Sequence, residues 1–240
     1  MIYTSKENKK IKYIKKLNTK KYRDEFNEFI VEGEHLVLEA YKKGLLEEII
    51  LLDSFSIDID IPKIVVNESI MRYISNLDNP SNVLGICKKK KNTITGNKLL
   101  ILDDVQDPGN IGTIIRSSVA FDIDTVILSK GCADVYSSKV LRATQGMIFN
   151  TNIVICDLED FLNSIKGKYK IFGTDVKNGK DLKSIEKVEK FAIIMGNEGN
   201  GVKTNLLDFC DEYINISMNK KCESLNVAVA TSIILYELNR

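Results

Sequence analysis

The sequence predicts an α/β protein: a doubly wound parallel sheet in its C-terminal part, preceded by a smaller α/β module. Three observations lead there. From Leu99 onward, short runs that are apolar throughout alternate with helix-like stretches, as parallel strands covered on both faces do. Before Leu99 the texture differs, with basic and acidic stretches around a few apolar segments. Between the two lies the lysine run Lys88–Lys91, closed by Asn92, and 240 residues are enough for two domains, 1–92 and 93–240.

The elements follow in order. Ser5–Leu17 reads as a basic helix, because Ile11, Ile14 and Leu17 recur at i, i+3 and i+6 and form one apolar edge. Phe29–Val31 is a short strand. His35–Lys43 carries Leu36, Leu38, Ala40 and Tyr41 and is a helix ended by Gly44. Ile49–Leu52, Ile64–Val66 and Val83–Ile86 are strands, with a helix at Glu68–Ser75. In the second part the strands are Leu99–Leu102, Thr125–Leu128, Ile153–Cys156, Lys170–Phe172, Ala192–Met195 and Tyr213–Ile216. The helices are Ile111–Phe121, Ser137–Met147, Leu158–Ile165 and Leu225–Leu238. The last is apolar nearly all round, so burial on every side is expected. Ligands of such sheets collect at the carboxyl ends of the strands, which directs attention to the loops there.

Composition removes several chemistries. The five cysteines include no C-x-x-C pair, which argues against a zinc site or a disulfide framework and for a reducing, cytoplasmic setting. No apolar run approaches the roughly 18 residues of a membrane span, so no membrane partner is expected. One histidine, His35, excludes metal sites built on two or three histidines; no metal is expected, and His35 itself reads as a surface residue.

The net charge of +1 conceals an uneven distribution. Lys6, Lys9, Lys10, Lys12, Lys15, Lys16, Lys20 and Lys21 face a single acid, Glu7, within the first 22 residues, and Arg23 follows. Residues 23–87 hold thirteen acids against five bases, and Lys88–Lys91 restore positive charge. Two basic patches suit a polyanion, and Tyr13 and Tyr22 are near enough to stack on bases. Lys9, Lys10, Lys12, Lys15, Lys16, Lys20, Lys21 and Arg23 are therefore the candidate nucleic-acid contacts; a solubilising arm is the plain alternative.

Three loops carry the chemistry. Asp103–Gly112 runs from a strand into a helix, with Asn110 placed as its N-cap and Arg116 six residues on, off the stripe of Ile111, Ile114, Ile115 and Ser118. Met195–Val202 holds three glycines within six residues, which permits close backbone approach to a ligand, but Glu198 within it would repel a phosphate and accept hydrogen bonds instead. It fits neither nucleotide-binding glycine pattern. Ile216–Met218 and Glu223–Ala230 lead into the last helix, with Ser224 as its natural N-cap.

Taken together, N-x-G-x-x-x-R, then G-N-E-G-x-G, then E-S-L-N-V-A-V-A resemble the three motifs of the SpoU (TrmH) branch of the SPOUT RNA methyltransferases, over roughly residues 98–240. Ser5-Lys6-Glu7-Asn8 and Phe29-Ile30-Val31-Glu32-Gly33 are similar to the substrate-binding domain of that family's ribosomal RNA enzymes, a ribosomal-protein-like RNA-binding fold. The resemblance implies a C-terminal trefoil knot, a homodimer with active sites at the subunit interface, and S-adenosylmethionine as cofactor. It implies cofactor contacts from Thr174, Met195, Gly196, Asn197, Gly199, Ile216, Met218 and Leu225, and assigns RNA contact or catalysis to Asn110, Arg116, Glu198, Ser224 and Asn226. Where the family pattern has Ile-Pro-x, this chain has Ile216-Ser217-Met218, and Lys220 stands at a position often glycine, so a less rigid loop start is expected.

The implied reaction moves a methyl group to a ribose 2′-hydroxyl of ribosomal RNA, with transfer RNA the other target class. The family assigns Arg116 as base, yet a guanidinium stays protonated below a pH of about 12, so a bidentate grip on a phosphate is the easier physical role. Two other classes remain: a non-catalytic RNA-binding module of the same fold, and a small-molecule nucleotide enzyme using Gly196–Gly201 as a phosphate loop.

Overall fold

In a computed structural model, residues 2–176, 178–219 and 221–239 are described. The chain forms two compact units: one runs up to Lys91 and includes Asp134–Phe149, and the other comprises Asn92–Ala133 and the residues from Asn150 onward.

The first unit contains β1 (Ile2–Tyr3), α1 (Lys9–Lys16), α2 (Lys20–Phe26), β2 (Glu28–Glu32), α3 (Glu34–Lys42), β3 (Leu46–Leu52), β4 (Lys63–Val66), α4 (Glu68–Ile74) and β5 (Val83–Lys88). Its mixed sheet has the order β1-β4-β3-β5-β2. The apolar edge of α1 works as the periodicity requires: Ile11, Ile14 and Leu17 are fully buried against Ile50, Ile64, Ile70 and Leu84. That helix starts at Lys9 rather than Ser5, because the Asn8 side chain caps it by accepting the Lys10 N–H at 2.9 Å. A separate helix, α2, follows it, unforeseen because few of its positions are apolar. Gly44 ends α3 as expected, at φ +64°, with its N–H on the Tyr41 carbonyl.

Asp134–Phe149, with α6 (Ser138–Thr144), joins this unit although the sequence reads it with the later strands. The reason is chemical. Arg23 is buried, at 6% exposure, and its guanidinium pairs with Asp134 at 2.5 Å while donating to the Leu17 carbonyl at 2.9 Å. The Tyr136 ring lies 4.6 Å from Phe29, covering it. The helix expected to reach Met147 stops at Thr144, since Gln145 and Gly146 both turn to positive φ before a 3₁₀ turn at Met147–Asn150.

The second unit is built on β6 (Lys98–Leu102), α5 (Pro108–Ala120), β7 (Thr125–Leu128), β8 (Ile153–Ile155), α7 (Leu158–Ile165), β9 (Lys170–Thr174), β10 (Lys180–Asp181), β11 (Phe191–Met195), α8 (Thr204–Leu207), β12 (Glu212–Asn215) and α9 (Val227–Leu238). Its seven strands are all parallel, in the order β10-β12-β9-β11-β6-β7-β8. Leu99, Ile101, Ala192 and Ile194 pack on Leu158, Phe161 and Leu162 of α7, and Leu100, Phe172 and Ile193 alternate to the other face. The chain steps outward from β6 to β8, then returns to the far side, so the direction reverses between β6 and β11. In open α/β sheets that reversal opens a crevice at the strand ends.

Helices α5 and α9 pack together. Asn110 meets Asn226, Ser117 meets Ser232 at 2.7 Å, and the Phe121 and Tyr236 rings lie 5.9 Å apart, so the two helices run in parallel. The expectation that α9 is buried all round fails: Val229, Ile233 and Tyr236 stand 48%, 39% and 63% exposed along one face. No helix among the described residues is long and apolar enough to cross a membrane.

Candidate active site

The loop that leaves β6 is held from two sides. Asp104 adopts φ +51°, and its carboxylate accepts the Ser129 hydroxyl at 2.5 Å and the Lys203 ammonium at 2.6 Å. Lys203 also donates its backbone N–H to buried Asp103 at 2.9 Å. These bonds hold the Asp104 carboxyl below the usual carboxylate range. Across the crevice Asn197 donates to the Asp104 carbonyl at 2.8 Å and accepts the N–H groups of Gly199 and Asn200. The loops after β6 and β11 are thereby fastened together at the point where the sheet reverses direction.

Asn110 is not the helix cap. Pro108 lacks an N–H and its fixed φ suits the first helical position, so α5 begins there and Asp107 caps it, accepting the Asn110 N–H at 2.8 Å. The Asn110 side chain is left for other work. Its Nδ2 donates to Glu198 at 2.9 Å, and its Oδ1 accepts from Asn226 Nδ2 at 2.9 Å. Glu198 also takes the backbone N–H groups of Asp107 and Gln106, at 3.1 and 3.3 Å. This is the hydrogen-bond acceptor role that the sequence predicts for it. Burial raises its carboxyl pKa, but the bonds from Asn110 and backbone amides outweigh burial and leave it below the ordinary range. Ser224 is likewise not a cap: Asn226 caps α9, accepting the N–H groups of Ala228 and Val229. Residues from three loops, Asn226–Asn110–Glu198, form one connected polar chain.

Beside that chain lies a cavity of about 630 Å³ at the carboxyl ends of β9, β11 and β12. All eight residues expected at a cofactor line it: Thr174, Met195, Gly196, Asn197, Gly199, Ile216, Met218 and Leu225. Glu198, Ser224 and Asn226 line it too. At Gly196 a Cβ would lie 2.1 Å from the Gly201 carbon, so the two backbone segments touch there and only glycine fits. The walls combine backbone groups with Ile214, Ile216, Met218 and Ile234, which suits a ligand with a flat apolar part and polar ends. S-adenosylmethionine fits that description. The sequence missed Asp175 and Val176, which follow β9 and close one side. Their position after a strand end was the available signal.

The start of the third loop has an anchor other than proline. Ser217 donates to Asp181 at 2.7 Å, and Asn215 Nδ2 donates to the Gly179 carbonyl. Lys220 lies outside the described residues. Arg116 is exposed on α5 and, among the described residues, makes no hydrogen bond or ion pair. It is not joined to the Asn226–Asn110–Glu198 chain. No group of three or more His, Cys, Asp or Glu side chains positioned for a metal is found among the described residues.

The basic residues of the first unit divide. Arg23 is removed from the set of RNA contacts by its buried pairing with Asp134. Lys10 pairs with Glu48 at 2.5 Å and Lys12 pairs with Glu7. Among the described residues Lys9, Lys15, Lys16, Lys20 and Lys21 have no carboxylate partner. His35 is exposed and donates to the Gln145 carbonyl at 3.2 Å, as a surface histidine would.

Comparison with known proteins agrees with this geometry. Residues 97–236 match the SpoU rRNA Methylase family, and residues 8–85 match the MRM3-like substrate binding domain. The chain is 38% identical, over 98% of its length and 97% of the relative's, to the 23S rRNA (guanosine(2553)-2′-O)-methyltransferase RlmP of Bacillus subtilis (strain 168). It superposes on the AdoMet-bound rRNA methyltransferase from Sinorhizobium meliloti with a TM-score of 0.87, at 30% identity, covering 99% of this chain and 97% of that one. The fold, without further inference, is shared with the SpoU methyltransferase AviRb from Streptomyces viridochromogenes in complex with AdoMet, at a TM-score of 0.86 and 21% identity over 97% of both chains. With its second and third motif loops lining one glycine-bordered cavity, the first bonded to both, and a family match that spans more than half of its length, this chain belongs to the SpoU rRNA methylase family.

Proposed function

We propose that this protein transfers a methyl group from S-adenosylmethionine to a ribose 2′-hydroxyl of ribosomal RNA, working in the cytoplasm, with its first unit binding the RNA. The observation that carries the reading is the Asn226–Asn110–Glu198 chain on the rim of the 630 Å³ cavity. Bound S-adenosylmethionine supplies a methyl group already activated on a sulfonium. The protein's task is then to align a hydroxyl with it, and preorganised geometry is the dominant lever. Gly196 and its neighbours hold the cofactor by backbone groups. Glu198, kept ionised by its donors, is a weak base at neutral pH and acts by fixing the Asn110 amide and the 106–107 backbone.

Arg116 is assigned to the RNA. Its planar fork grips a phosphate next to the target ribose and offsets charge as the hydroxyl oxygen becomes anionic. Because Arg116 stands apart from the Asn110 chain within one protomer, the reading includes a homodimer. It is supported by Val229, Ile233 and Tyr236, an exposed apolar row on α9 beside α5. Ile233→Asp on that row is expected to give a monomer by light scattering, with methyl transfer lost. The knot implied by the resemblance belongs to the same reading, supported by the insertion of β11 between the earlier strands β9 and β6.

Calorimetric titration with S-adenosylmethionine tests the cofactor assignment; saturable binding is expected, and no heat at millimolar ligand would remove it. In cells, the nucleoside that vanishes from ribosomal RNA when the gene is deleted is expected to be 2′-O-methylated; loss from transfer RNA instead would redirect the target.

A further inference from the structure

The lysines of the first unit are not all equivalent: two aromatic rings, Tyr22 and Tyr73, each gather a pair of them, and a hollow lies against Tyr73. Lys6, ahead of α1, and Lys15, in its last turn, place their ammonium groups 5.1 and 5.3 Å from the centre of the Tyr73 ring on α4. Such distances are within cation–π range, yet two like charges gathered on one ring repel each other. Among the described residues neither Lys6 nor Lys15 has a carboxylate partner, and the adjacent carboxylate, Glu68, pairs with Arg72 at 2.7 Å. Asn18 holds the geometry by donating to the Ile74 carbonyl at 2.7 Å, which ties the end of α1 to the end of α4.

Part of the ring reaches solvent. Tyr73 packs part of its surface on the core around Ile11, Ile14 and Ile70 and is half-buried, and its hydroxyl has no hydrogen-bond partner among the described residues. An open hollow of about 490 Å³ lies against it, lined by Lys6, Glu68, Ser69, Arg72 and Tyr73. The two tyrosines nearer the lysine run are engaged elsewhere. Tyr13 donates its hydroxyl to Glu28 and leans on Phe26 at 5.1 Å; Tyr22 carries Lys16 and Lys21 at 5.0 and 5.6 Å, but its ring is stacked on Phe26 at 6.0 Å.

We propose that Tyr73, with Lys6 and Lys15, forms an RNA contact in which an unpaired base stacks on the ring and the flanking phosphates sit between the two ammonium groups. The proposal rests on the reading of the first unit as RNA-binding and names the surface that does it. A phosphodiester strand supplies the missing negative charge, and a nucleobase supplies the flat face that the hollow admits; an acidic peptide would satisfy only the first.

The test is filter binding of the full-length protein to a 23S ribosomal RNA transcript over a series of KCl concentrations. Tyr73→Leu keeps the apolar packing but removes the π face, and is expected to weaken binding about tenfold with an unchanged salt slope. Lys6→Ala/Lys15→Ala is expected to make the slope of log affinity against log salt shallower by about 1.4, two phosphate contacts' worth. Tyr73→Phe is expected to bind as wild type. S-adenosylmethionine affinity, measured in parallel, is expected to be unchanged in all three. If the wild type binds the transcript while Tyr73→Leu and the double lysine variant bind equally well with the same slope, this contact is wrong and the RNA reading survives. If only the lysine variant changes, the stacking is refuted. If the wild type itself does not bind, the RNA-binding reading falls with it.

Discussion

The polar groups at the strand ends of the second unit and the basic groups of the first make opposite use of charge. Around the cavity, Asn110, Asn197, Glu198 and Asn226 are joined to one another and to backbone amides. In the first unit, Lys9, Lys15, Lys16, Lys20 and Lys21 lack carboxylate partners among the described residues, while Arg23 is locked away with Asp134. The first arrangement fixes a geometry before any ligand arrives; the second leaves positive charge uncompensated on the surface. The contrast teaches that a residue's type does not reveal which of the two it serves. What decides is whether the fold brings a partner within about 3 Å.

The largest expected effect breaks the contrast where sequence reasoning went astray. Removing Arg23 leaves the largely buried Asp134, 15% exposed, without its cation, so Arg23→Ala is expected to cost about 3 kcal/mol in a urea titration. A surface RNA contact would instead leave the urea midpoint in place and change only the salt dependence of binding. Next comes Arg116, which makes no hydrogen bond or ion pair among the described residues. Arg116→Ala is expected to lower the methyl transfer rate about 10²–10³-fold with S-adenosylmethionine affinity intact. Arg116→Lys separates two roles: a phosphate clamp keeps residual turnover and loses RNA affinity, whereas a base loses turnover at full RNA affinity.

A smaller effect concerns the shared asparagine. Asn226→Ala removes the α9 cap and the brace on Asn110, and should cost about 1 kcal/mol of stability together with a clear loss of rate. If stability falls but the rate does not, the bond to Asn110 is not catalytic. Least visible at neutral pH is the titration of Glu198. Its folded-state pKa lies below the ordinary value, so the stabilisation that it gives to the crossing loops is complete above the usual carboxylate range and fades as pH falls through the depressed value. Cofactor affinity by calorimetry is therefore expected to stay level through the usual carboxylate range and to fall only at more acid pH, and Glu198→Gln should flatten that acid limb.

These outcomes also mark how much was readable before the structure. Thr125–Leu128 and Leu158–Ile165 coincide with their elements to the residue, because short apolar runs and a clean 3.6-residue period leave little choice. All eight expected cofactor residues line one cavity, since motif spacing reports on loops whose backbones must touch, as Gly196 and Gly201 do. The caps were misread for a local reason: Pro108 starts α5 early, and Asn226, not Ser224, reaches the first amides of α9. Arg23 was misread for a long-range one, as its partner lies 111 residues away and no local pattern announces it. The exposed apolar row on α9 was taken for core because composition cannot distinguish a face buried within one chain from a face left open.

One measurement bears most directly on the central claim. The purified protein is incubated with S-adenosylmethionine bearing a deuterated methyl group and a 23S ribosomal RNA transcript, and the digested RNA is read by mass spectrometry. The account predicts a single labelled nucleoside with the methyl on its ribose, absent with Arg116→Ala. Label on a base, or none from a protein that binds both cofactor and RNA, would contradict it.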